Sequence, residues 1–256
     1  MIASLPMYDR VETAGANDRL WAAIRDGMRA EGLDAPDALT RGAEDLWPQW
    51  TAPDLAFSQT CGFPYRSRLH GKVTLIGTPD YGIRGAPQGY YRSIFIARTD
   101  DLREKLADFD GARFAYNDGV SQSGWAAPQT HAESHDMRLP PCLRTGGHRA
   151  SALAVAEGQA DIAALDAVTW RMLERWEPFT KGLRAIAKTT PTPGLPYIAA
   201  SGAPGDKLFT IVSAAIAAMS PEDREATGIR GLVAIPAERY LEVPTPPAPE
   251  QLTRGN

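Results

Sequence analysis

Short apolar runs alternating with stretches of helical periodicity constrain this chain more than any other feature. Ile2–Leu5, Leu55–Ser58, Val73–Gly77, Ile94–Ala97, Arg113–Tyr116, Ile162–Leu165, Leu183–Ala187 and Tyr197–Ala200 are too short for buried helices and read as strands. Between them, Asn17–Ala30, Gly124–His135, Arg149–Glu157, Ala167–Trp176 and Lys207–Met219 read as helices, several following Asn, Asp or Ser in a capping position. This alternation predicts an α/β fold of mostly parallel sheets flanked by helices.

A chain of 256 residues is long enough for one large domain or two lobes. Two stretches look like passages between lobes: Gly89-Tyr-Tyr-Arg-Ser93 entering an apolar strand, and Thr189-Thr-Pro-Thr-Pro-Gly-Leu-Pro196 leading into another. Two passages imply a discontinuous first lobe, residues 1–92 with 193–256, and a second lobe of residues 93–192, with the ligand in the cleft between them. Pro244, Pro246, Pro247 and Pro249 mark a tail expected to run as extended surface chain.

Composition narrows the partners. With 43% hydrophobic residues, 23% charged residues and a net charge of -4, the chain has an ordinary globular make-up. No stretch suits a bilayer, so it is not expected to be embedded in a membrane. Its Lys and Arg residues are scattered among acids, which speaks against a nucleic-acid partner. Met1–Leu5 leads straight into folded-looking sequence, so the chain as it stands reads as cytoplasmic, or as periplasmic if a leader is missing. Cys61 and Cys142 lack CxxC spacing and read as reduced, small apolar packing residues, with a disulfide open only if the chain is exported. No cofactor is implied.

The stretch Phe114-Ala-Tyr-Asn-Asp-Gly-Val-Ser-Gln-Ser-Gly-Trp125 carries the most chemistry. A strand ends in small hydroxyl residues where a helix begins, and unpaired N–H groups there, with roughly half a unit of positive charge from the helix dipole, can seat an oxyanion. Ser121 and Ser123 add hydroxyl donors, and Gly124 lets the backbone approach closely. A simple capped helix is the plainer reading of these four residues. Downstream, Thr145-Gly-Gly-His148 opens another helix, and a short strand ends at Asp166.

In motif and order this chain resembles the phosphate, phosphite and phosphonate substrate-binding proteins of ABC importers, the phosphonate-binding branch of the type II periplasmic binding proteins. The resemblance runs from the first strand to about residue 236. It implies a two-lobed fold, an oxyanion loop made of Ser121, Gln122, Ser123 and Gly124, a second donor at His148, and an acceptor at Asp166. It also implies a small anionic ligand, an ABC permease as partner, and a monomer.

Tyr8, Gln59 and Thr60 follow first-lobe strands, where ligands of open α/β sheets sit, and Tyr90 and Tyr91 stand at a passage; all five are candidate ligand-binding residues. Relatives often place an aromatic where Gln59-Thr-Cys61 stands. His148 can equally be a turn residue, Asp166 an N-cap and each tyrosine a packing residue. Trp125 reads as packing under the loop, and Asn117 and Asp118 as its braces. His131 and His135 stand four apart without the HExxH order or a third ligand, and Arg66, Arg68, His70 and Lys72 read as a solvated face. No GxSxG elbow, Walker loop or metal-ligand set is present. A solute-binding protein that closes its lobes on a small oxyanion, and is not an enzyme, is therefore the expectation. The alternative is a cytosolic enzyme or ligand sensor on the same fold, similar to menaquinone-pathway or thiamine-pyrimidine-synthesis proteins.

Overall fold

Each apolar run named above forms a strand in the computed structural model, which describes residues 1–253. In chain order these are β1 (Ile2–Ser4), β2 (Leu55–Gln59), β3 (Val73–Asp80), β4 (Tyr90–Tyr91), β5 (Ser93–Arg98) and β6 (Phe114–Tyr116). They continue with β7 (Pro141–Arg144), β8 (Ile162–Asp166), β9 (Leu183–Lys188), β10 (Thr192–Pro193), β11 (Tyr197–Ala200) and β12 (Gly231–Val233). The strands β4, β7, β10 and β12 lie outside those runs. Two are dipeptides that pair with each other, and β7 and β12 lie at sheet edges, where one partner suffices.

The chain divides into two units. Unit 1 comprises Met1–Arg84, Gln88–Tyr90 and Pro193–Leu241; unit 2 comprises Gly85–Pro87, Tyr91–Thr192 and the described residues from Glu242 onward. The expectation that 193–256 lies wholly in the first lobe therefore needs correction at Glu242. The fully buried indole of Trp125 donates to the Pro247 carbonyl at 3.1 Å, and a buried N–H needs such an acceptor. Nor is the tail all extended surface chain, since Pro249 is buried and opens a short helix, Pro249–Thr253.

Unit 1 holds a five-stranded sheet in the order β1-β2-β11-β3-β12. The helix Ala14–Ala30 lays Leu20, Trp21, Ile24 and Met28 into its core, where Trp21 stacks on Phe57 and Phe57 meets Tyr197 at a tilt. A second cluster in the unit packs Trp50, Leu55, Tyr65, Ile198 and Tyr240 together. Unit 2 holds a five-stranded sheet in the order β7-β6-β8-β5-β9. Its central strands β5 and β8 read as near-continuous apolar runs because helices such as His148–Ala156 and Ala167–Trp176 pack against the sheet.

The fold is α/β with helices flanking each sheet, but the sheets are mixed rather than mostly parallel. Among the described residues of the two five-stranded sheets, β1 with β2, and β6 with β7 and β8, pair in parallel and the other neighbours run antiparallel. The strand β11 runs against both β2 and β3, and β5 runs against both β8 and β9. A parallel neighbour requires a crossover of a dozen or more residues. Both β5 and β11 are instead entered directly from a passage between units, so the point of entry sets their direction.

Candidate functional site

In unit 2 the site begins where β6 runs out. Asp118 makes the turn: its carboxylate accepts from Val120 N at 2.9 Å, and its carbonyl accepts from Ser121 N at 3.1 Å. Ser121 is then an N-cap in extended conformation, its Oγ accepting from Gly124 N at 3.0 Å. Its hydroxyl proton remains available to another acceptor. The turn that follows, Gln122–Ala126, is wound as a π-helix closed by Ala126 N to the Ser121 carbonyl at 3.0 Å, before α-helix Ala127–Glu133 continues. Single π turns of this kind recur at functional sites.

Gly124 cannot be any other residue without displacement. A Cβ built there would lie 1.8 Å from Oδ1 of Asn117 and 3.1 Å from Cε1 of His148. The four residues are themselves well covered; Gln122 is 2% and Ser123 4% exposed.

The Thr145-Gly-Gly turn brings His148 to this place. Thr145 N donates to the Tyr116 carbonyl and Gly146 N to the Asn117 carbonyl, each at 2.9 Å, pinning the turn to the end of β6. His148 then opens its helix with Nε2 only 2.8 Å from Ser123 Oγ. Asp166 ends β8 and caps the next helix, Oδ1 accepting from Val168 N at 2.9 Å and Thr169 N at 2.8 Å. Its Oδ2 accepts from the Thr169 hydroxyl and stands 3.6 Å from His148 Nε2. The one carboxylate of Asp166 thus caps the helix and stands beside His148.

Sequence reasoning missed Ser93, whose Oγ donates to the Ser123 carbonyl at 2.8 Å. Its signal is a lone hydroxyl at the head of the apolar strand Ser-Ile-Phe-Ile-Ala-Arg, directly opposite Asp166 in the ladder.

Burial pushes the His148 imidazole below its ordinary range, while the Asp166 carboxylate pulls it back, and burial is the larger effect. The ring is thus neutral near pH 7. Its Nδ1 is buried without a partner. Serine, histidine and aspartate together suggest a hydrolase triad, but the wiring differs. In a triad the carboxylate orients the ring through one nitrogen while the serine uses the other. Here both Ser123 and Asp166 face Nε2, at 2.8 and 3.6 Å, and Nδ1 has no carboxylate beside it to orient the ring.

In unit 1, Tyr8 and Gln59 line one small pocket with Tyr81 and Tyr197. Gln59 Nε2 donates to the Tyr81 hydroxyl at 3.2 Å and the Leu195 carbonyl at 3.1 Å, and the Tyr8 and Tyr81 rings meet edge to face at 5.0 Å. Tyr81 was hidden because β3 runs three residues past Gly77 to Asp80. Thr60 is fully buried, with its N–H bound to the Pro196 carbonyl and its Oγ1 unpartnered. Tyr90 packs against the Trp50 and Tyr240 cluster, and Tyr91 is buried in unit 2. Neither tyrosine lines the pocket.

Elsewhere, the His135 ring stacks near His131 with centroids 4.3 Å apart, and its Nδ1 lies 2.8 Å from the His131 carbonyl. No group of three or more His, Cys, Asp or Glu among the described residues could hold a metal ion. Arg66 lies over Phe63 and Arg68 over Trp47, so that cluster is partly stacked. Neither cysteine forms a disulfide; Cys142 is exposed, since it faces out from the edge strand β7.

Residues 54–240 match the family model of the periplasmic substrate-binding proteins of phosphonate ABC transporters. The chain belongs to that family. No curated protein matches it by sequence. Among solved structures, PhnD1 from Prochlorococcus marinus in complex with methylphosphonate superposes with a TM-score of 0.72 at 13% identity, covering 99% of this chain and 97% of that one. A binding protein component of an ABC phosphonate transporter from Pseudomonas aeruginosa gives 0.68 at 17% identity, covering 98% and 85%. The arginine-, lysine-, histidine-binding protein ArtJ from Geobacillus stearothermophilus gives 0.58 at 13% identity, covering 89% and 95%. The phosphonate-binding family thus shares its type II periplasmic-binding-protein fold with proteins that take quite different ligands, and the ligand must be argued from the site. Among the described residues no helix is long and apolar enough to cross a membrane.

Proposed function

We propose that this protein is the substrate-binding component of an importer for a small oxyanion: phosphate, phosphonate or a related anion. The observation that carries the reading is the Ser123 hydroxyl, ordered by His148 at 2.8 Å, inside a turn capped by Ser121. Hydroxyl and N–H dipoles can offset a buried anion's charge without a cation or a catalyst. The family membership and the methylphosphonate complex of a structural neighbour support the same ligand chemistry. Ser121, Gln122, Ser123, Gly124 and His148 are the proposed anion contacts, with Asp166 an acceptor beside them. Tyr8, Gln59 and Thr60 are the proposed contacts of unit 1. Tyr90 and Tyr91, both packed at the passage, are proposed ligand contacts as well.

Such a receptor works as a monomer that meets a permease outside the cytoplasm, so the proposal carries a periplasmic location, checked by fractionating cells that express the full gene. Calorimetry with methylphosphonate, phosphite and phosphate tests the ligand class. Saturable binding of at least one is expected. Binding of amino acids or carboxylates, with none of these three bound, would overturn it.

A further inference from the structure

The C-terminal segment touches both flanks of the Ser121–Gly124 turn. Upstream, a Cβ at Gly119 would lie 3.0 Å from Cδ and 3.1 Å from Cγ of Pro249, so this buried proline packs on the backbone that launches Ser121. Downstream, Trp125 follows Gly124 directly and spends its only side-chain donor on the Pro247 carbonyl at 3.1 Å. The indole is 0% exposed and packs on Tyr116 with ring centroids 5.0 Å apart, which places it between β6 and the tail. Glu250, in the same segment, acts electrostatically on Tyr116 and on Arg144, the last residues of β6 and β7.

We infer that the segment from Glu242 to Leu252 is a positioning element of the ligand site, clamping both flanks of Ser121–Gly124 through Pro247 and Pro249. The inference rests on the reading of that turn as the anion seat. A π turn is intrinsically less favourable than the α turn that could replace it. Relaxing to α register removes one residue from the turn and rotates Ser123 and Gly124 away from His148 and Asn117. The clamp resists that rotation, because the Trp125 N–H would leave its only acceptor.

Hydrogen–deuterium exchange reads the clamp without any ligand. In a chain ended after Leu241, amides 119–126 should exchange at least tenfold faster while β2 keeps its protection. Trp125→Phe, which keeps a ring and removes the donor, should act in the same direction in the full chain and decides the matter if the shortened chain does not fold. Gly119→Ala, which presses on Pro249, should speed the same amides in the full chain and add nothing in the shortened one. Unchanged protection of 119–126 in Trp125→Phe overturns the proposal. So does a lowered melting temperature with no local change, which would leave the tail a purely stabilising role. With methylphosphonate as the calorimetric probe, Trp125→Phe should bind at least tenfold more weakly, and equal affinity overturns the positioning role. If the native chain binds no phosphorus oxyanion at all, the proposed function fails, while the exchange experiment still decides whether the tail holds the turn.

Discussion

His148 is pulled in two directions. Burial disfavours the imidazolium more than Asp166 favours it, so the folded ring titrates below the ordinary 6.5. The unfolded chain therefore takes up this proton at higher pH than the folded chain, and stability is complete above about 6.5 and declines as pH falls toward the folded value. Urea midpoints measured through this range should drop for the native chain and drop less for His148→Gln. His131 is also held low, by burial first and His135 second, so His131→Gln should remove its own separate share. If Ser123 holds the anion as proposed, Ser123→Ala should remove a hydroxyl hydrogen bond worth about 1.5–3 kcal/mol, hence at least tenfold in affinity by calorimetry. Gly124→Ala places a methyl group 1.8 Å from Asn117 Oδ1. It should cost about 1–3 kcal/mol in urea unfolding, as overpacking does, and weaken anion binding with it.

Among the elements, the helix Ala167–Trp176 depends on the residue that also faces the site. Asp166 accepts from two backbone N–H groups of its first turn. Asp166→Ala should therefore lose about 1 kcal/mol of cap stability in urea unfolding, while Asp166→Asn, an equally good cap, should lose little. A change in anion affinity shared by both variants would trace to the lost charge rather than to the helix. The sequence made this element legible, since a strand ending in Asp before an amphipathic segment is a local signal. It did not reveal Ser93 or Tyr81. Ser93 matters only because its strand lies opposite Asp166, and Tyr81 only because β3 continues through Pro79 to pair with β12.

For the whole molecule, closure of the two units on a ligand is the motion implied by the proposed role. Small-angle scattering should show a smaller radius of gyration on saturation with the anion that binds best; an unchanged value would point to a rigid pocket. The sequence by itself determined the eight strands with apolar runs and the longer helices, because hydrophobic period and caps act within a few residues of one another. It also placed the Ser-Gln-Ser-Gly turn at a strand end, with the histidine and aspartate in order behind it. Strand direction at β5 and β11, the company of Ser123, and the return of the tail to unit 2 were decided by the tertiary structure alone. Each joins residues far apart in the chain, as Ser123 with His148 or Trp125 with Pro247, and no local pattern encodes a contact whose free energy exists only once distant segments are packed together.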